Sequence, residues 1–306
     1  MIVAQSIAEL KSEVARLRAA GQRIAFVPTL GNLHAGHRHL MEQARRHADA
    51  VVASVYVNPL QFGPTEDFSV YPRTPEPDRA LLEAAGVDML FLPDDTVIYP
   101  RGRALSTRVE VPEVSDILCG AARPGHFRGV ATVVHRLFQI VTPDVALFGK
   151  KDYQQLLVIR LMTADFGLPI EIVGVETVRD AYGLAMSSRN AYLGAAERHS
   201  APKLFASLQA LAGRIVNRGA SESGFATHEA QAIEQLAAAG FRPEYVSVRR
   251  QQDLALPGPG DRRLVVLAAA WLGRARLIDN LELDRKTAPA FPALPPSVAV
   301  ELKPAS

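Results

Sequence analysis

The apolar residues Ile7, Leu10, Val14 and Leu17 recur at the spacing of one helical face, with polar residues filling the gaps. Ser6 and Glu9 write a capping box ahead of that helix, and Gly21 closes it. The pattern then changes. RIAFVPT (23–29) and AVVASVYV (50–57) are continuous apolar runs, short enough for strands buried on both faces. DMLFL (88–92), VALFG (145–149) and PIEIVGV (169–175) repeat the signal. Helical segments separate them: Gly36 to Ala48, a stretch opened by Thr74 as cap and Pro75 as first residue and running to Gly86, and another from Asp152 to Phe166. Strands and helices in alternation predict an α/β protein with a parallel sheet covered on both faces.

Beyond residue 180 the rhythm is different. Two Ala-rich helical stretches, 195–217 and 224–239, precede three strand-like runs: EYVSVR (244–249), RRLVVLAAAWL (262–272) and RARLIDNLEL (274–283). That order predicts a second, smaller α+β domain. The expected division is 1–180, 181–285 and a Pro- and Ala-rich tail, 286–306, whose composition predicts disorder.

Composition narrows the class. The chain has 306 residues, 48% of them hydrophobic and 22% charged, enough to bury a core in each domain. A net charge of +2 gives no reason to expect nucleic acid. The single cysteine, Cys119, rules out an internal disulfide framework and any multi-cysteine zinc site, and favours a reducing compartment. Glu9, Lys11 and Glu13 interrupt the N-terminal apolar residues, so no leader core is expected, and no run is long enough to span a membrane. A cytoplasmic location follows as the expectation.

The candidate chemistry begins where the strand at 23–29 ends. PTLGNLHAGH (28–37) places His34, Gly36 and His37 at the carboxyl end of a strand, where open parallel sheets bind ligands. Gly31 and Gly36 permit close backbone approach, and the helix that follows offers free N–H groups to an anion. On the residues alone, the two imidazoles either cap that helix, bind a metal or donate to phosphate oxygens.

The His-x-Gly-His pattern after a strand resembles the nucleotide-binding motif of the nucleotidylyltransferase superfamily. Its flanks are similar to those of the pantothenate synthetase (pantoate–β-alanine ligase) family, whose pattern reads Pro-Thr-Met-Gly-Ala-Leu-His-x-Gly-His. VNPLQF (57–62), RPGHFRGVATVVHRLF (123–138), FGKKDYQQL (148–156), GLAMSSRN (183–190) and the C-terminal strands resemble further blocks of that family, so the likeness covers about residues 1–285. It implies a Rossmann-like N-terminal domain with a C-terminal lid, a homodimer, and ATP with Mg²⁺ as the nucleotide. The implied reaction joins pantoate to β-alanine through pantoyl adenylate, releasing pyrophosphate and AMP. Residue by residue, it implies ATP contacts at Leu30, Gly31, Asn32, Leu33, His34, Ala35, Gly36 and His37, at Gly149, Lys150, Lys151 and Asp152, at Val178, and at Met186, Ser187, Ser188 and Arg189. Gln61 and Gln155 would hold pantoate, and His34, His37 and Lys151 would carry the chemistry. The helix bearing Val130, Val133, Val134 and Leu137 is expected to be structural or to form a dimer interface.

Several positions depart from the family pattern. Leu30 stands for Met, an apolar swap of similar volume, and Asn32 for a small Ala. Lys150 stands for the acidic residue of Gly-Glu-Lys-Asp, adding positive charge expected to attract ATP. Pro77 stands where a carboxylate is common, leaving Asp78, so no residue is assigned as a metal ligand. An RNA-linked relative of class I synthetases and a non-catalytic nucleotide binder are the rival readings; no segment resembles an anticodon-binding domain, and the principal phosphate and amide positions are present.

Overall fold

The computed structural model describes residues 1–64, 66–218, 222–258 and 260–285. The tail 286–306, read from sequence as disordered, lies outside them.

Six strands form one parallel sheet: β1 (Ile2–Ala4), β2 (Ile24–Thr29), β3 (Ala50–Val55), β4 (Met89–Phe91), β5 (Val145–Gly149) and β6 (Glu171–Val175). The helices between them are α1 (Ile7–Ala19), α2 (Ala35–His47), α3 (Pro75–Ala84), the single turns α4 (Asp95–Ile98) and α5 (Cys119–Ala122), α6 (His126–Val141) and α7 (Tyr153–Asp165). The capping box of α1 forms as its sequence predicts, with Ser6 Oγ accepting from Glu9 N and Glu9 Oε2 accepting from Ser6 N. Thr74 departs from expectation: it precedes α3 but makes no side-chain cap, and its hydroxyl donates to Asp78 Oδ1 instead. The three-residue β1, too short to leave a periodic signal, is an addition to the sequence reading; it pairs with β4 through Ile2–Met89 and Ala4–Phe91.

The strand order is β1-β4-β3-β2-β5-β6. After β2 the chain steps to β3 on one side, and after β5 to β6 on the other. The carboxyl ends of β2 and β5 therefore flank the switch point, where loops diverge and leave a crevice. Behind it, Phe138 of α6 meets Phe26 of β2 and Phe148 of β5 edge-on, at centroid distances of 6.4 and 6.3 Å.

The second unit is a three-stranded antiparallel sheet, β7 (Arg242–Arg250), β8 (Arg263–Leu272) and β9 (Ala275–Asp284), with α8 (Ala195–Ser200), α9 (Lys203–Arg218) and α10 (Glu222–Ala238). The stretch 195–217 is two helices rather than one, divided at Ala201 and Pro202, because proline cannot donate the backbone bond that would continue the first. The long apolar run of β8 has a simple cause. Leu264, Val266, Ala268 and Ala270 pack under α9 and α10, while Val265 and Leu267, on the opposite face, join the core of the large unit. Both faces are buried, so the usual polar alternation is lost. The large sheet ends at Val175, and Leu184 already packs in the second core.

Candidate active site

The loop leaving β2 turns sharply. Gly31 (φ 84°) and Asn32 (φ 51°) both adopt the left-handed conformation. Asp78 of α3, 3% exposed, holds the turn: its carboxylate accepts from Asn32 N at 2.9 Å, Leu33 N at 2.7 Å and Thr74 Oγ1 at 3.0 Å. The acidic residue that sequence left beside an open metal question is thus a loop clamp with its oxygens committed.

His34 is the N-cap of α2, and its Nδ1 accepts from Gly36 N at 3.1 Å. His37 Nδ1 accepts in turn from His34 N at 3.3 Å. Both Nδ1 atoms being acceptors, each neutral ring carries its proton on Nε2. Burial, reinforced by the Lys151 cation, pushes His34 down to about 4; burial, then the neighbouring His34 and Lys151, pushes His37 down to about 3. At neutral pH the pair, 4.2 Å apart between ring centroids, is uncharged and offers two N–H donors. Capping and ligand presentation are not alternatives here: the cap fixes the tautomer that can donate.

Across the switch point, β5 ends at Gly149 and a single tight turn, Lys150–Asp152, leads into α7. Lys151, Asp152 and Gln155 line the cleft with both histidines. Lys150 does not. Its ammonium pairs with Glu282 at 2.7 Å and with Glu176, tying the end of β5 to β9 and to the segment after β6. The expected extra attraction for ATP is therefore offset at its source by two carboxylates. Gln154, next to the predicted Gln155, is buried and structural, bonding the backbone at Val114, Ile117 and Cys119.

Gln61 enters from the turn after β3 and is 8% exposed. Asn58, wholly buried, donates from Nδ2 to Gln61 Oε1 (3.2 Å) and to Gly129 O (3.1 Å), while Tyr99 Oη donates to Asn58 Oδ1 (2.7 Å). With Oε1 engaged, the Gln61 amide nitrogen is left for a ligand. A second set of bonds holds the Gln61 backbone. His126 Nδ1 donates to Gln61 O at 2.7 Å, Arg123 donates to His126 Nε2 at 3.0 Å, and Glu66 binds the Arg123 guanidinium. Burial, then Arg123, brings His126 down to about 3, so it too is neutral. The apolar face of α6 is structural, as one of the two expectations had it, and it also serves the site. Val130, Val133, Val134 and Leu137 are buried within the chain and form an apolar wall of this same cleft.

The segment between the two units closes the cleft. Val178, Met186, Ser187, Ser188 and Arg189 line it, Met186 N donates to Val178 O at 2.9 Å, and Ser188 Oγ donates to Asn32 O at 3.1 Å. Arg189 is held by Asp67 through two bonds, of 3.0 and 3.2 Å. Of the positions expected to meet ATP, Leu30, His34, Gly36, His37, Gly149, Lys151 and Asp152 also face the cleft, whereas Gly31, Asn32, Leu33 and Ala35 lie outside its lining with Lys150.

Comparison with known proteins decides the family. The family model described as pantoate-beta-alanine ligase matches residues 2–282. The chain belongs to that family. A pantothenate synthetase of Shewanella amazonensis is 59% identical over 279 residues, 91% of this chain and 98% of the relative. One from Thioalkalivibrio sulfidiphilus is 60% identical over 267 residues, 87% and 92% of the two chains. Among solved structures, a pantothenate synthetase of Thermus thermophilus superposes with a TM-score of 0.83 at 46% identity, covering 92% of this chain and 99% of that one. A pantoate-beta-alanine ligase from Francisella tularensis, complexed with β-γ ATP and β-alanine, gives 0.76 at 32% identity over 94% and 99%. The pantoate–β-alanine ligase reaction is ATP-dependent ligation through pantoyl adenylate, and this chain is an enzyme of that reaction.

Sequence reading missed the supports of this ligase's site: Asp78 on the loop, Asn58 on the Gln61 amide, the Glu66–Arg123–His126 chain on its carbonyl, and Asp67 on Arg189. All but Asn58, which stands three residues from Gln61, act across long sequence separations, and none leaves a local pattern.

Proposed function

We propose that the cleft forms the acyl adenylate by neutralising phosphate charge with donors that are mostly uncharged. A pantoate carboxylate oxygen attacks the α-phosphorus of ATP, the bond to pyrophosphate breaks, and the β-alanine amine then attacks the acyl carbon and releases AMP. The difficulty is bringing one anion to another. Lys151 supplies the fixed positive charge, and the Nε2–H groups of His34 and His37 donate to phosphate oxygens as charge accumulates in the transition state. Gly149, Asp152, Val178 and the Met186–Arg189 segment hold the rest of the nucleotide, Arg189 exchanging Asp67 for phosphate. Gln61 and Gln155 hold pantoate by neutral amides, which add no repulsion, against the apolar wall of α6. The observation that carries the reading is the meeting of two neutral, cap-locked imidazoles and Lys151 at the switch point of the sheet.

The chain's own donors do not fit a protein-held magnesium ion. Asp78 is spent on backbone and hydroxyl donors and Asp67 on Arg189, and no group of three or more His, Cys, Asp or Glu among the described residues is arranged to hold a metal. Mg²⁺ then belongs to the substrate, carried on ATP phosphates and water. The family resemblance supports a homodimer. No helix among the described residues is long and apolar enough to cross a membrane.

The deciding experiment is exchange of labelled pyrophosphate into ATP. It should require pantoate and proceed without β-alanine. Enzyme that makes pantothenate normally yet shows no such exchange would refute the two-step route.

A further inference from the structure

The small sheet reaches into the catalytic turn from behind. On β9, Asn280 stands opposite Leu267 and Glu282 opposite Val265, so both project from the face of the small sheet that packs on the large unit. Asn280, 7% exposed, donates from Nδ2 to the carbonyl of Lys150 at 2.8 Å and to that of Lys151 at 2.9 Å. Glu282 takes the Lys150 ammonium at 2.7 Å and the Tyr153 hydroxyl at 3.1 Å. The two consecutive carbonyls belong to a tight turn, and a single amide bonds both. On the cleft side of that turn, the Lys151 ammonium stands near enough to His34 and His37 to depress both rings.

From this geometry we infer that Asn280 is a positioning residue for the reaction: by fixing the Lys151 backbone from the second domain, it sets where the Lys151 ammonium stands. The bonds cross between two sheets, so they exist only while the small domain sits against the large one. Seating of the lid and placement of the catalytic cation are then a single event, and an enzyme with its lid displaced loses the cation's position even with ATP bound. The inference rests on the reading of Lys151 given above.

Its test is a double-mutant cycle read by single-turnover adenylate formation, with ATP and pantoate but no β-alanine. Asn280→Ala should slow the step about 10- to 100-fold, the scale on which misplacement by an ångström acts. The dissociation constant for ATP should stay within about threefold of wild type. In a Lys151→Ala background the same substitution should add little, because the group it positions is gone. An undiminished rate in folded Asn280→Ala, or an equal fold-loss in both backgrounds, overturns the inference and leaves Asn280 as ordinary packing. A Lys151→Ala enzyme that forms adenylate normally would overturn the underlying role of Lys151, a result readable separately from the first. Asn280→Ser, smaller in its disturbance and also lacking the amide, is carried through the same cycle and decides the matter if the alanine variant folds poorly.

Discussion

Replacing Gly129 by alanine should damage pantoate binding without touching a residue that meets substrate. Gly129 lies on α6 where the helix crosses the turn carrying Gln61. A Cβ there would stand 2.3 Å from Leu60 O, 2.5 Å from Leu60 C and 2.7 Å from Gln61 Cα, all of them backbone atoms that no rotamer change can move aside. Ordinary contact begins near 3.4 Å, so the two elements must part by about 1 Å. The helix is the poorer candidate to move, since Val130, Ala131, Val133 and Val134 are all buried. The turn retreats instead, and Gln61 goes with it. Alanine gains about 1 kcal/mol of helix propensity over glycine, against an overpacking cost of about 1–3 kcal/mol, so the variant should fold with a net loss of no more than about 2 kcal/mol. A 1 Å displacement of a substrate-holding group can cost on the order of 10²-fold in rate. Steady-state kinetics with pantoate varied should therefore show kcat/KM for pantoate down by roughly that factor. ATP affinity by calorimetry should stay within about twofold, because the histidine loop and the Lys151 turn are untouched. A folded Gly129→Ala enzyme with wild-type kcat/KM for pantoate would refute the placement of Gln61 by helix contact.

Three other outcomes follow. His37→Ala and Lys151→Ala should each slow adenylate formation by roughly 10²–10³ in single-turnover measurements, while Gln155→Ala acts mainly on pantoate binding; normal adenylation in folded Lys151→Ala would remove that cation from the mechanism. His34, His37 and His126 are depressed to about 4, 3 and 3 from an ordinary 6.5, so the folded state binds fewer protons than the unfolded one. Their sites are undisturbed above about pH 6.5, and stability falls as pH drops toward 4, by up to about 1.4 kcal/mol per pH unit per ring and less for the half-buried His34; equal urea midpoints at pH 7 and pH 5 would contradict the burial of these rings. Gly31→Ala should destabilise the histidine loop by about 1 kcal/mol or more and weaken ATP binding, since its φ is 84° and the new Cβ would lie 3.0 Å from both Asp78 Oδ2 and Val55 Cγ1; unchanged thermal stability and ATP affinity would show the loop to be more pliable than its contacts require.

What the sequence made legible is what repeats or sits next to its neighbour. The 3.6-residue stripe of α1, the uninterrupted apolar runs of β2, β3 and β5, and the His-x-Gly-His segment are local statements, and local physics suffices to read them. Asp78 was legible only as an acidic residue: that its oxygens serve Asn32 and Leu33 depends on how α3 docks beside β2. Lys150 misled for a related reason. A lysine next to a candidate phosphate turn gives its position but not its direction, and the direction is set by Glu176 and Glu282, one of them on a strand of the other domain. Pro202, by contrast, was visible and carried its usual consequence; the Ala-rich composition around it concealed a break between two helices.

The pairing of Lys150 with Glu176 and Glu282 limits how this protein can change. The family's more usual acidic residue at position 150, introduced alone, would put three carboxylates against one another where two now share a cation at 2.7 Å and closer. Lys150→Glu would be costly in this background yet tolerable in one where positions 176 and 282 had already lost their charge, so the sign of its effect depends on the other two. Positions 150, 176 and 282 therefore behave as a single heritable character. A chimaera that takes the small domain from one relative and the large domain from another must exchange all three together, or its lid will be repelled by the body it is meant to cover.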